Sequence, residues 1–150
     1  MSHENTAPDQ LKPVVEGLGW GGILPFLMLP LAAIFDAPQA LETLLITYGL
    51  LILAFLCGTL WMAQILQAGA SAWRILASNL IILAAWPAVL LPLYAAALLL
   101  AAGFTVHLFL DAPWRNQTFP AWYRTLRFRL SSVVTGLLLA TALAGAMSEF

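Results

Sequence analysis

The chain has 150 residues, of which 62% are hydrophobic and 9% charged, and its formal net charge is −1. A water-soluble domain carries about a quarter charged residues, so this chain has too few to cover itself in water, and its solvent is lipid. The near-neutral balance gives no global field for nucleic acid, and the single cysteine, Cys57, excludes an intrachain disulfide or a multi-cysteine metal site.

Residues 1–16 are polar, with Glu4, Asp9 and Glu16 against Lys12. They have neither the basic start and apolar core of a secretory signal nor the arginine-rich, acid-poor character of a mitochondrial presequence. Pro8 and Pro13 lead us to expect a disordered tail there, followed by a membrane domain over 17–147. A hydrocarbon core of about 30 Å needs roughly 20 apolar residues in a helix. The first such run is 18–35, which Pro25 and Pro30 should kink. The second is 43–66, and a polar linker around Gln67 to Arg74 follows it. From Ile75 to Leu110 there are 36 residues without Asp, Glu, Lys or Arg. As one helix they would span about 54 Å, too much for a single crossing. Pro87 and Pro92 sit near the middle, so the run reads as a hairpin of two spans, 75–91 and 93–110. A polar, aromatic segment leads into the fifth span, 130–147. The expected fold is an all-α integral membrane protein: a bundle of five transmembrane helices with a short amphipathic interfacial segment before the last.

Charge supports the count. Five spans put Lys12, Arg74, Arg115, Arg124, Arg127 and Arg129, every Lys and Arg in the chain, on one side. Asp36, Glu42 and Glu149 fall on the other. The positive-inside rule makes the first side cytoplasmic. The expected location is therefore a bacterial inner membrane, with the N-terminus cytoplasmic and the C-terminus periplasmic.

The sequence Gly17-Leu18-Gly19-Trp20-Gly21-Gly22 fits G-x-G-x-x-G, but a dinucleotide site needs a preceding strand within a βαβ unit. Here the glycines run into an apolar span, and Gly17 and Gly21 instead form a G-x-x-x-G helix-packing pair. Ser132, Gly136, Ala140 and Ala144 recur every four residues in the fifth span and make a second small-residue face. Packing inside the bundle is the plainer reading of that face, and contact with a partner is the alternative.

No Asp, Glu, Lys or Arg falls at mid-depth, where ion and proton carriers usually keep one. The polar candidates within the spans are Thr47, Gln64, Ser78, Asn79, Thr105 and His107. Gln64, Asn79 and His107, with Arg115, are candidates for a shallow pocket holding a quinone or a lipid headgroup. Interhelical hydrogen bonding is the plainer account. His3 lies in the tail, so His107 has no second histidine for haem. Between Asp111 and Arg129, Trp114, Trp122, Tyr123 and Phe128 interleave with Arg115, Arg124, Arg127 and Arg129. Pro120 can open a short helix with Arg124 and Arg127 on one face, lying at the lipid headgroups or docking a partner's acidic loop.

Several patches taken in order carry a family resemblance: Gly17-Leu18-Gly19-Trp20 into Leu24-Pro25-Phe26; Tyr48-Gly49, then Phe55-Leu56, Gly58 and Trp61; Trp86-Pro87; and Pro120-Ala121-Trp122-Tyr123-Arg124 with Leu126-Arg127. Their order and the five-span frame resemble the bacterial membrane proteins of the domain of unknown function 3429, which are similar to mitochondrial transmembrane protein 69. In that pattern a polar residue or histidine often precedes the tryptophan of the second helix. Leu60 stands there in this chain, so no ligand is implied at that position. The resemblance implies fold and location and brings no activity.

Two classes of function remain from the sequence. One is a structural, accessory or assembly subunit contacting other integral membrane proteins. The other is a small transporter or a lipid- or quinone-binding protein centred on His107. No serine, cysteine or carboxylate pair has an evident catalytic partner. We expect no enzyme activity, catalytic residue, metal or cofactor, and no nucleic-acid partner; membrane lipids are the expected surroundings.

Overall fold

The computed structural model describes residues 7–67, 70–112 and 119–148. They form six α-helices, α1 (Ala7–Gly21), α2 (Leu24–Ile34), α3 (Gln39–Leu66), α4 (Ala72–Ala85), α5 (Leu93–Asp111) and α6 (Ala121–Ser148), and a 3-10 turn, Trp86–Leu90, between α4 and α5. Grouped by continuity they give five segments long and apolar enough to cross a membrane: Asp9–Ile34, Gln39–Leu66, Ala72–Leu90, Leu93–Asp111 and Ala121–Met147.

The proline positions explain the breaks. Pro25 lacks the N–H that would continue the ladder from α1, and the chain turns at Gly22 and Ile23 before α2 begins. The Tyr48 hydroxyl donates to the Gly22 carbonyl in this turn at 2.9 Å. Pro87 tightens the end of α4 into the 3-10 turn, and Pro92 stands as the N-cap of α5. The hairpin read from the uncharged run is therefore present. Two boundaries differ from the sequence reading. The helix starts at Ala7, inside the stretch expected to be disordered, with Pro13 tolerated within it. The last span begins earlier than its apolar stretch: Ala121–Ser148 is one unbroken helix of 28 residues, so residues 121–129 are its first turns.

α5 is the hub and packs on α6, α3 and α4, while α2 lies against α6 and α3. Its buried face runs Leu93, Ala96, Ala97, Leu100, Ala101 and Phe104, then continues through His107 and Asp111. These steps of three and four residues keep one stripe on one side of the helix. Alanine lets the backbones close in. A Cβ at Gly103 of α5 would stand 2.9 Å from the Leu53 Cδ2 of α3, so any larger residue there would push that side chain aside. Phe26 of α2 meets Phe104 edge-on, with ring centroids 5.8 Å apart. The outer surface carries exposed Leu44, Leu51, Phe55, Leu83, Phe109 and Leu143. In lipid such residues cost nothing, and the bundle is held by close packing and interhelical hydrogen bonds rather than by exclusion of water.

Connectivity sets two ends. One holds the C-terminal ends of α3 and α5 and the starts of α4 and α6, with Arg74, Arg124, Arg127 and Arg129. At the other, Asp36 and Glu42 share a cavity of about 610 Å³ with Leu90, Leu91, Pro92 and Gly145.

Candidate functional site

The polar centre lies at the arginine end, where α5 stops and α6 begins. One turn of helix separates His107 from Asp111 on the buried face of α5, and one turn separates Tyr123 from Arg127 on α6. Arg127 Nε donates to Asp111 Oδ2 at 2.9 Å. Both residues are buried, with 6% and 4% of their surface exposed. Arg127 Nη1 donates to Thr59 Oγ1 of α3 at 2.9 Å and to the Tyr123 hydroxyl at 3.3 Å. The Thr59 hydroxyl in turn donates to the Leu56 carbonyl. Its guanidinium also stands 5.7 Å from the Tyr123 ring centroid, and Tyr123 meets Phe119 and Trp122 edge-on. Three spans are thus joined at a single guanidinium.

A guanidinium has five N–H groups. Asp111 takes one, and Thr59 and Tyr123 take the two on Nη1. The two on Nη2 have no acceptor among the described residues. His107 is 1% exposed and hydrogen-bonds the Leu56 backbone, and its Nε2 likewise lacks a partner among the described residues. Nothing in the cluster is a nucleophile held by a base: the Thr59 hydroxyl is engaged on both sides. The arrangement is a neutralised clamp with spare hydrogen-bond donors.

Beside the clamp, a crevice of about 420 Å³ opens between α1, α3 and α6. Val15, Leu18, Ile52, Phe55, Phe104 and Leu130 are among its apolar walls, and Tyr123, Arg127 and Ser131 also line it.

The residues singled out from the sequence are dispersed by this geometry. Gln64 is buried and accepts from the Ser71 N–H at 3.1 Å. Asn79 is exposed and donates to Ile75 of its own helix. His107 belongs to the clamp, and Gln64 Nε2 is buried without a partner among the described residues. Arg115 and Trp114 lie outside the described residues. Thr47 and Thr105 each bond a carbonyl one turn back, and Trp61 Nε1 donates to Ser78 Oγ at 2.9 Å. Among the residues expected at the headgroups, Arg129 is exposed, while Trp122, Tyr123 and Arg124 are half-buried. Arg127 does not reach the headgroups but turns inward to Asp111, because a buried acid one helix away outweighs their pull.

A Cβ at Gly17 or Gly21 would meet nothing within 4 Å, whereas one at Gly19 would stand 2.7 Å from Leu130. Gly19 is therefore the glycine on which α1 approaches α6. Ser132, Gly136 and Ala140 are exposed and Ala144 is half-buried, and nothing stands within 4 Å of a Cβ at Gly136. The buried face of α6 is instead Arg127, Ser131, Val134, Leu138, Thr141, Ala142 and Gly145. The sequence reading missed Asp111 and Thr59. Asp111 was legible as the continuation of the α5 stripe, but Thr59 carried no signal.

Fold and site together define a multi-pass helical membrane protein closed at one end by a buried ion pair. Residues 12–143 match the profile of the family described as "Protein of unknown function (DUF3429)", and the chain belongs to that family. No curated protein and no solved structure matches it.

Proposed function

We propose that the chain is a non-enzymatic accessory or assembly subunit of a bacterial inner membrane, N-terminus cytoplasmic, that works by contact with other integral membrane proteins. One observation carries the proposal: the small-residue row Ser132, Gly136 and Ala140 of α6 is left uncovered by the chain's own helices. In lipid, small residues let a neighbouring backbone approach closely. The orientation follows from placing every Lys and Arg at one end. The test is mild purification from native membrane at native expression. A stable protein partner that is lost on Gly136→Leu supports the proposal, and a chain that runs alone in both forms removes it.

A second reading, binding of a lipid or quinone, is favoured by the crevice beside Arg127. His107 joins it through the clamp, while Gln64 Oε1 and Asn79 Nδ2 are taken by Ser71 and Ile75.

A further inference from the structure

We propose that the crevice between α1, α3 and α6 is a side-opening site for a membrane amphiphile that lays one apolar chain in the crevice and brings a hydrogen-bond-accepting head to the spare N–H groups of Arg127. The proposal rests on the second reading above and names its site and ligand chemistry. Three observations meet there. The crevice holds about 420 Å³ and is walled mostly by apolar side chains, as small-molecule sites are. Arg127, 6% exposed, lines it and keeps Nη2 without an acceptor among the described residues. The order of lining residues along α6, Tyr123, Arg127, Leu130 and Val134, runs from the arginine end inward. A head at Arg127 and a chain along Leu130 and Val134 would therefore lie as a membrane amphiphile lies, head at the boundary and chain toward the midplane.

The clamp narrows the choice of head. Asp111 already neutralises Arg127, so the site needs no anion. It offers donors, so the head must present an acceptor oxygen: a quinone carbonyl, or the ester or phosphate oxygen of a phospholipid. A cationic or purely donating head leaves Nη2 unpaired and gains nothing. Entry is from the lipid, because Leu18 and Phe55 on the crevice walls are exposed. On the α1 side the wall is thin, since Gly19 and Gly22 have no side chains to fill it.

The test uses the full chain reconstituted in phosphatidylcholine vesicles with two photoprobes. One is a benzoquinone with a diazirine on its alkyl tail, and the other is phosphatidylglycerol with a diazirine on one acyl chain. One probe should label saturably, be displaced by its unlabelled counterpart, and map to residues lining the crevice on α1, α3 and α6. Which probe does so identifies the source of the head. Arg127→Lys keeps a cation for Asp111 but removes Nη2, and should cut saturable labelling about tenfold, the equivalent of one charge-assisted hydrogen bond. Val15→Trp fills the crevice without touching the clamp and should cut it comparably. Labelling that never saturates and is no stronger than at exposed Leu143 overturns the proposal. Saturable labelling that survives both variants overturns it too. Solvent extraction of protein from native membrane separates the two levels. A stoichiometric lipid or quinone that persists in both variants leaves the second reading standing and removes this site, whereas no bound molecule and no saturable labelling removes both.

Discussion

Arg127 is held by partners on two other helices and by Tyr123 on its own, so its removal is not a local event. A buried ion pair that loses one member leaves an uncompensated charge, at a cost of about 3–5 kcal/mol, while replacing both members by apolar residues is much milder. Arg127→Met alone and Asp111→Leu alone should each lower the unfolding midpoint in detergent, and the double variant should recover most of the loss. Additive losses would show that the two residues act separately. Ala112 makes a second point at this scale. It caps α5 with φ 42°, in the left-handed region, while its N–H bonds the Leu108 carbonyl. Glycine is the usual residue there because a Cβ is strained in that conformation. Ala112→Gly should raise stability by up to about 1 kcal/mol, read by the same unfolding measurement.

At the scale of the helix, α6 carries two stripes that a four-residue count confuses. Positions 132, 136, 140 and 144 are all small, and a step of four suggests one face. An α-helix turns every 3.6 residues, so a run of fours drifts around the cylinder. The face that enters the bundle advances by alternating threes and fours, from Arg127 through Ser131, Val134, Leu138 and Thr141 to Gly145. Small residues alone could not say which stripe was inside. The inward register was marked by an arginine, which composition reads as surface. Leu138 is fully buried, so Leu138→Ala should destabilise the monomer by about 2–5 kcal/mol. Gly136→Leu should leave the monomer's melting temperature unchanged, since nothing stands near it. A destabilised Gly136→Leu monomer would place that stripe inside after all.

For the whole molecule, the five crossings were legible because hydropathy, proline and charge agree in lipid. Pro87 and Pro92 split the uncharged run, and the arginines gathered on one side only with that split. What stayed hidden was contact between elements distant in sequence. Thr59 and Arg127 are 68 positions apart, and no periodicity links them. The start of α1 was hidden for another reason: Pro8 and Pro13 read as breakers, yet Ala7–Gly21 is helical around them. The orientation gives a direct measurement. A reporter fused after Met147 should read as periplasmic and one inserted between α5 and α6 as cytoplasmic. Both on one side would contradict five crossings.

The Asp111–Arg127 pair also bears on how the chain is made. Downstream of Arg129 the last helix keeps only an 18-residue apolar stretch, 130–147, and Arg127 sits before it on the face that must enter the bundle. An arginine drawn into a membrane without a partner costs a few kcal/mol, and its acid lies only 16 positions upstream, on the helix synthesised immediately before. Synthesis therefore delivers the counter-ion first. The fourth and fifth crossings leave the insertion machinery best as a couple, and a ribosome stalled between them would expose a carboxylate waiting for its guanidinium.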